Sequence, residues 1–278
     1  MTAPGPFASA IRSPGARAGL AVIALLALAA LVGPSLLPDP AAQADVLAGA
    51  NLPPSAAHPL GTDQLSRDVL ARLVSGARIS LAVALLSVAL AMTIGTLVGL
   101  VAGYAGGWAE ALLMRLVDAA LAIPRLFLLL LLLAAWERIP LWALAGMIGA
   151  TGWFATSLVV RAEVRRLAAE PFVLGAEALG AHPARVAFRH LLPNALGPVL
   201  VSATLGVGNV ILLEAGLSFL GLGVQPPLPS WGGMIFDARE TMHAAPWTMV
   251  APGAAIVATV LAVNLVGEAL RRATEPGR

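Results

Sequence analysis

The feature that most constrains this chain is the length of its stretches without a charged residue. Only 12% of the 278 residues are charged, whereas soluble domains carry about 25%. A helix that crosses the hydrocarbon core of a membrane needs about 20 mostly apolar residues. Five uncharged stretches reach that length: 18–38, 79–109, 139–160, 191–213 and 244–267. The sequence therefore predicts an all-α protein that crosses a membrane several times.

A sixth span is predicted at residues 119–136, although it contains a charge. Arg125 lies near its start, next to Pro124, and an apolar tract follows. Because a long arginine side chain can reach the headgroups from the edge of a span, we expect Arg125 at the inner membrane edge. The uncharged stretch 215–236 is rich in Gly and Pro, which interrupt the backbone hydrogen bonds that lipid cannot replace. We expect a helix to end there and a loop outside the membrane to follow, dipping back toward the bilayer.

The first span has two interpretations. Arg12 and Arg17 precede its apolar run, and the small residues around Gln43 resemble a signal-peptidase site that would be cut after Ala44. The alternative is a retained first span, which the continuation of the apolar run beyond Val32 favours. Both interpretations leave the later segments on the same sides of the membrane.

The distribution of arginine predicts the orientation of the chain. Six spans put both ends on one side, and cytoplasmic segments carry an excess of Lys and Arg. The N-terminal segment, residues 161–190 and the C-terminal segment together hold ten arginines, and the opposite segments hold five. We therefore expect both termini and His182 in the cytoplasm, and Gln64 and Asp237 outside.

Two residue types are missing altogether, and their absence removes several kinds of chemistry. All 17 basic residues are arginines and there is no cysteine. Without lysine the chain has no phosphate-binding G-x-x-x-x-G-K-[ST] loop, so any ATP must be bound by another chain. Without cysteine there is no thiol nucleophile, disulfide or thiolate metal site. We expect no cofactor, no metal and no nucleic-acid partner. An enzyme inside the membrane is not indicated, because Ser218 has no histidine within a span to act as its base.

A short polar insert interrupts the apolar pattern at residues 171–192. Pro171 suits the first position of a helix, and Phe172, Ala176 and Leu179 then share one face. Gly180 is expected to end that helix in an elbow.

A second short helix is expected to open at His182-Pro183 and to stop at Pro193-Asn194, just before the next span. Arg185 and Arg189 lie on one of its faces, and Phe188, Leu191 and Leu192 on another. The small residues Gly175, Ala176 and Gly180 would let another protein approach the backbone. The competing interpretation is an ordinary loop solvated by its arginines.

Polar residues in or beside the apolar stretches are the other candidates. Asn209, Glu214 and Asn264 either line a translocation path or form hydrogen bonds between helices; the cost of a charge in lipid predicts that Glu214 faces protein or water. Residues 62–78 are predicted to form a helix on the outer membrane surface, capped by Thr62 or Asp63. Asp68 and Arg72 are expected to pair on this helix.

Several blocks, in order along the chain, resemble one family. Residues 175–194 (GAEALGAHPARVAFRHLLPN) resemble the cytoplasmic EAA loop of ABC-importer permeases, specifically the second membrane subunit of dipeptide, oligopeptide and nickel importers. Four further blocks resemble the same subunit: HPLGTDQLSRDVLARLVSGARISL (58–81), MRLVDAALAIPRL (114–126), EAGLSFLGLGVQPPLPSWGGM (214–234) and NLVGEALR (264–271).

The chain also departs from the family pattern. Leu174 occupies the position of the usual glutamate, with Glu177 three residues later. Gly175 replaces an alanine, Ser66 a frequent glycine and Glu268 an aspartate. Gly180, the glycine of the loop, is retained.

The resemblance implies a bacterial inner-membrane protein with six spans and a cytoplasmic coupling loop. Its divisions would be a cytoplasmic N-terminus (1–17), a first span with an external segment (18–78), a core transmembrane domain (79–270) and a C-terminal tail (271–278). The loop residues that would contact an ATPase are Phe172, Gly175, Ala176, Glu177, Leu179, Gly180, Arg185, Arg189 and His190.

The implied function is half of the pore of an ATP-driven importer of di- or oligopeptides. The implied partners are a homologous second permease, two ATPase subunits, an extracytoplasmic solute-binding protein and the bilayer. Two alternatives stay open: import of nickel or another small solute, and a structural or signalling membrane protein.

Overall fold

The computed structural model describes residues 13–43 and 45–274, and every regular element in these ranges is helical. Ala44 and the outer parts of the two predicted tails lie outside the described residues. The helices are α1 (Pro14–Leu36), α2 (Val46–Gly49), α3 (Val69–Ala105), α4 (Gly107–Leu121), α5 (Arg125–Ala134), α6 (Leu141–Ala150), α7 (Trp153–Ala168), α8 (Pro171–Ala178), α9 (Pro183–Arg185), the π-helical segment π1 (Val186–Leu191), α10 (Leu192–Phe219), α11 (Trp231–Ala238) and α12 (Trp247–Thr274).

The long helices confirm an all-α membrane architecture. Four continuous helices are long and apolar enough to cross a membrane: α1, α3, the run from α9 to α10, and α12. Two further spans are broken, because α4 meets α5 at 80° and α6 meets α7 at 42°. Counting each bent pair as one span makes six. All six predicted spans therefore correspond to helices, and two of them contain breaks that hydropathy does not reveal.

Close backbone contacts hold the long helices together. Gly95, Gly99 and Gly103 form one stripe of α3 that faces α7, and a Cβ at Gly99 would lie 2.7 Å from the Ser157 carbonyl oxygen. On α1, a Cβ at Gly19 would lie 2.5 Å from the carbonyl oxygen of Ala262 in α12. Small residues at such crossings are typical of helices that pack in lipid, where close van der Waals contact replaces the hydrophobic effect. The first helix is thus part of the bundle.

The predicted outer helix at 62–78 is wrong. Residues 62–68 form a loop, and α3 begins at Val69 as a continuous helix of 37 residues. Asp68 is its N-cap, since its Oδ1 accepts a hydrogen bond from the Ala71 amide at 2.8 Å. Thr62 is not a helix cap, because its hydroxyl donates to the Gly49 carbonyl at 2.6 Å. The sequence therefore identified Thr62 and Asp68 as residues that make polar contacts, but it assigned the wrong partners to both.

The side chain of Arg125 contacts another span, and its place at the inner membrane edge stays a prediction. Its side chain is half-buried, and its Nη2 donates to the Ile148 carbonyl oxygen at 2.5 Å. Arg125 therefore turns inward, from the break between α4 and α5 to the break between α6 and α7, because the last carbonyls of α6 have no partner within their own helix.

The glycine- and proline-rich stretch after α10 contains a helix as well as the expected loop. As predicted, the long helix ends within it, at Phe219, but α11 follows at Trp231–Ala238. Trp231 is buried, and its indole Nε1 donates to the Leu73 carbonyl oxygen at 3.0 Å. This contact attaches α11 to the first turns of α3.

Candidate functional site

The candidate site begins with α8 and the turn that ends it. Pro171 occupies the first turn of α8, where its missing N–H costs nothing. The helix ends in a Schellman motif: the Ala181 amide donates to the Ala176 carbonyl at 3.0 Å, and the Gly180 amide to the Glu177 carbonyl at 2.9 Å. Gly180 has φ of +76°, a conformation that only glycine adopts without strain. The elbow predicted at Gly180 is present.

A few buried side chains anchor the elbow to the bundle. Val173 of α8 and Val186 and Leu191 of π1 are fully buried. They belong to one apolar cluster with Val160 and Val164 of α7, and with residues of α3 and α10. The elbow is therefore packed against α3, α7 and α10.

The opposite side of the elbow is apolar and uncovered. Leu179 is 91% exposed, and Phe172, Leu174 and Phe188 are exposed as well. A Cβ at Gly175 would meet no atom within 4 Å, so packing within the chain does not require a glycine in the middle of α8. Glycine in a helix costs about 0.5–1 kcal/mol relative to alanine. We call the four exposed apolar side chains of Phe172, Leu174, Leu179 and Phe188 together the elbow face.

The polar residues of the loop have different surroundings. The Tyr104 hydroxyl, at the end of α3, donates to Glu177 Oε1 at 2.9 Å. Glu177 thus ties α8 to α3, a contact that the sequence does not reveal because 73 residues separate the two. Arg185 and Arg189 are exposed, and His190 is half-buried. Ala176, which lies within α8, is also half-buried.

The second short helix does not stop where the sequence predicts. The helical path runs from Pro183 through π1 into α10 without a break, so Pro193-Asn194 does not end it. In a regular α-helix the ring of Pro193 would clash with the preceding turn. The π turn widens the helix there: the Leu192 amide donates to the Ala187 carbonyl, five residues back. The elbow is therefore rigidly continuous with a long span.

The three residues predicted to line a pathway do not share one surface. Asn209 on α10 and Asn264 on α12 are exposed. Glu214 is 1% exposed; its Oε1 accepts from the Ser218 hydroxyl at 2.7 Å and its Oε2 from the Ser80 hydroxyl at 3.3 Å. Glu214 faces protein, as its cost in lipid predicts, and joins α10 to α3. For Asn209 and Asn264 a place in the pathway stays a prediction.

A second polar cluster lies at the other end of the bundle. Asp63 accepts hydrogen bonds from Arg67 and Arg72, and both arginines also bind Asp237 of α11, at 3.0 and 2.8 Å. Arg72 and Asp63 are nearly buried, with 8% and 7% of their side chains exposed. We call these four residues the external network, after the side of the membrane on which the arginine distribution predicts them. Sequence spacing does not reveal this network and pairs Arg72 with Asp68, which instead binds His58 at 2.8 Å.

Matches to two families cover most of the chain. Residues 95–278 match the family described as binding-protein-dependent transport system inner membrane component. Residues 10–54 match the N-terminal TM domain of oligopeptide transport permease C. The first match includes α8, Gly180 and π1, and the second includes α1 and α2.

Similar proteins are found in several bacteria. A putative peptide permease protein of Brucella suis is 43% identical over 260 residues, which cover 93% of this chain and 85% of the relative. The oligopeptide transport system permease protein OppC of Bacillus subtilis is 36% identical and covers 94% and 85%. The glutathione transport system permease protein GsiD of Pectobacterium atrosepticum is 38% identical and covers 93% and 85%. The similarity therefore extends over nearly the whole chain.

Proposed function

Because the chain belongs to the family of binding-protein-dependent transport system inner-membrane components, we propose that it forms half of the translocation pathway of an ATP-driven importer for di- or oligopeptides. The relatives described above are named as peptide, oligopeptide and glutathione permeases. Peptides are therefore the solute class that these relatives support best, ahead of nickel or another small solute. A transport family also favours this function over a structural or signalling role.

The observation that carries the proposal is the combination of an exposed elbow face with a buried anchor. Phe172, Leu174, Leu179 and Phe188 expose apolar area on the elbow, and exposed apolar patches mark contact sites for other proteins. Val173 and Val186 connect that place to α3, α7 and α10. An ATPase subunit that moves on nucleotide binding would therefore move three spans through the elbow.

The rest of the machinery is assigned to other chains. The sequence contains no lysine, and hence no lysine-bearing phosphate loop. ATP is bound and hydrolysed by two ATPase subunits, a homologous permease supplies the other half of the pathway, and an extracytoplasmic solute-binding protein delivers the peptide.

Reconstitution tests this proposal. Vesicles that contain this permease, its partner permease, both ATPases and ATP are expected to take up peptide only when the binding protein is present. The chain by itself is expected neither to hydrolyse ATP nor to take up peptide. ATP hydrolysis by the purified chain, or peptide uptake without the ATPases, would contradict the assignment.

We also propose that the elbow and both termini lie in the cytoplasm and that the external network lies outside. The excess of arginine at 161–190 and near the ends supports this orientation. In a chain without native cysteine, a single cysteine can be labelled without background. Leu47→Cys, at a position 98% exposed, and Gln64→Cys should react with a membrane-impermeant maleimide in intact cells. His182→Cys should react only after the cells are opened, and labelling of His182→Cys from outside would reverse the orientation.

A further inference from the structure

Arg125 lies where the two broken spans meet. It is the first residue of α5, just after the 80° break, and its side chain reaches the 42° break between α6 and α7. There its Nη2 donates to the Ile148 carbonyl and its Nε to the Thr151 hydroxyl, at 2.5 and 3.3 Å. A Cβ on Gly152 would come within 2.9 Å of Nη2, so a glycine makes room for the guanidinium. The two breaks therefore pack around the guanidinium of Arg125.

The junction lies within two of the predicted spans. Arg125 belongs to the predicted span 119–136, and Ile148 and Thr151 belong to the predicted span 139–160. A charged side chain within a membrane span is expensive and typically marks a substrate or ion path.

The charge of Arg125 is not neutralised by a carboxylate. Among residues 13–43 and 45–274, no Asp or Glu lies within ion-pair distance of its guanidinium. A guanidinium has five N–H donors, and the described structure accounts for two of them. The remaining donors include the Nη1 amino group. Such a fork suits an oxyanion, which can accept two parallel hydrogen bonds.

Arg125 also lines a cavity. Its volume is about 200 Å³, which is enough for the end group of a larger ligand. Arg125 and Thr151 are its polar lining residues, and apolar side chains of α4, α5 and α7 form the rest of the wall: Leu121, Leu128 and Phe154, with Ile123 from the break. Leu121 and Ile123 are also exposed, so the cavity borders the open surface of the chain. Broken helices commonly form solute sites in transporters.

We propose that Arg125 and Thr151 form a subsite for an oxyanion group, supplied by the C-terminal carboxylate of a transported peptide or by a lipid phosphate. The carboxylate assignment rests on the proposed function, and the phosphate assignment does not. In both cases the guanidinium binds the anion through its free N–H donors. The Ile148 and Thr151 contacts hold the guanidinium in position.

The test uses the complete importer in vesicles and one peptide in two forms, with a free C-terminal carboxylate and with a C-terminal amide. Binding-protein occupancy is measured separately and made equal for both forms. We expect Arg125→Met to lower uptake of the carboxylate form about tenfold or more, to the level of the amide form, and to leave amide uptake unchanged. Arg125→Lys, which keeps the charge but loses the fork, should fall between. Arg78→Met, which removes an exposed arginine of α3, is the control and should keep the wild-type ratio.

A second arm identifies the source of the anion. Complexes are purified from vesicles that contain phosphatidylglycerol, and the retained lipid is measured by native mass spectrometry. If Arg125 binds a lipid phosphate, Arg125→Met loses one phosphatidylglycerol and the carboxylate-to-amide ratio does not change. An unchanged ratio together with unchanged lipid overturns the subsite. An equal loss of both peptide forms with lipid unchanged assigns Arg125 a purely structural role and overturns it too.

Two further outcomes have defined consequences. If Arg125→Met does not assemble, the carboxylate-to-amide ratio and the lipid count of Arg125→Lys decide, by the same criteria. If the wild-type complex takes up no peptide at all, the proposed peptide function fails, and with it the carboxylate assignment. The lipid measurement then decides whether the oxyanion subsite exists.

Discussion

Replacing Gly180 by valine is expected to abolish coupled transport while the protein still inserts and pairs with its partner permease. Gly180 has φ of +76°, and a non-glycine residue in this region costs about 1–2 kcal/mol, with more for a β-branched one. No atom lies within 4 Å of a Cβ placed there, so the effect is one of backbone strain and not of collision. Strain at this residue opens the Schellman motif and displaces Leu179 on the elbow face. We expect peptide uptake and peptide-stimulated ATP hydrolysis to fall by about two orders of magnitude.

Gly180→Asn is the matched control, because asparagine adopts the left-handed conformation far more readily than valine. It should keep most of the uptake and should bind the ATPases normally. Equal activity of the valine and asparagine variants would show that the conformation of Gly180 is not needed for coupling.

Two substitutions in α8 test the contact with an ATPase independently of the turn at Gly180. Ala176→Trp should hold an ATPase surface away from the half-buried position 176 and should lower ATPase binding and uptake as strongly as Gly180→Val. Leu174→Glu, at an exposed position, should be tolerated. Co-purification with the ATPases measures the first link, and uptake in vesicles measures the second. Normal coupled transport by both Gly180→Val and Ala176→Trp would leave the elbow an ordinary solvated loop.

Removing the Asp63 carboxylate is expected to destabilise the opposite end of the molecule. Asp63 accepts from Arg67 at 2.7 Å and from Arg72, and Arg72 is 8% exposed. Asp63→Ala leaves buried arginine charge with Asp237 as its remaining carboxylate. Breaking a buried pair in this way costs about 3–5 kcal/mol. We expect the thermal unfolding midpoint of the purified chain in detergent to fall by on the order of 10 °C.

The chain supplies its own reference for this measurement. Arg239 and Glu240 form an exposed ion pair at 3.4 Å, and Glu240→Ala should change stability by no more than about 1 kcal/mol. Asp63→Asn keeps an oxygen that can accept from the Leu65 and Arg67 amides, as Asp63 Oδ1 does at 2.9 Å, and should be intermediate. Similar melting curves for Asp63→Ala and Glu240→Ala would show that the external network contributes little.

Sequence alone could identify the spans and the elbow. Each span was recognisable because lipid imposes the same requirement on every segment: about 20 residues without charge. The elbow was recognisable because Pro171 and Gly180 act on their own backbone, through a missing N–H and through a positive φ. These are local constraints, and they can be read without knowing what each residue touches.

The contacts between segments were not predictable in the same way. Sequence spacing suggests no partner for Arg125 and pairs Arg72 with Asp68, because spacing reveals only partners that are close along the chain. The structure directs Arg125 to Ile148, 23 residues away, and Arg72 to Asp237, 165 residues away. It also carries the helix past Pro193, because a π turn absorbs the proline.

The sequence by itself therefore determined that this chain is helical, which segments are long and apolar enough to cross a membrane, and where a glycine elbow interrupts the pattern. Only the tertiary structure decided which spans are broken, which charges are buried together and which face of the elbow is left open. The physical reason is that insertion into lipid depends on the hydropathy of each segment separately. Burial of a charge depends on the groups that other helices bring to it, and those groups are set by packing across the whole bundle.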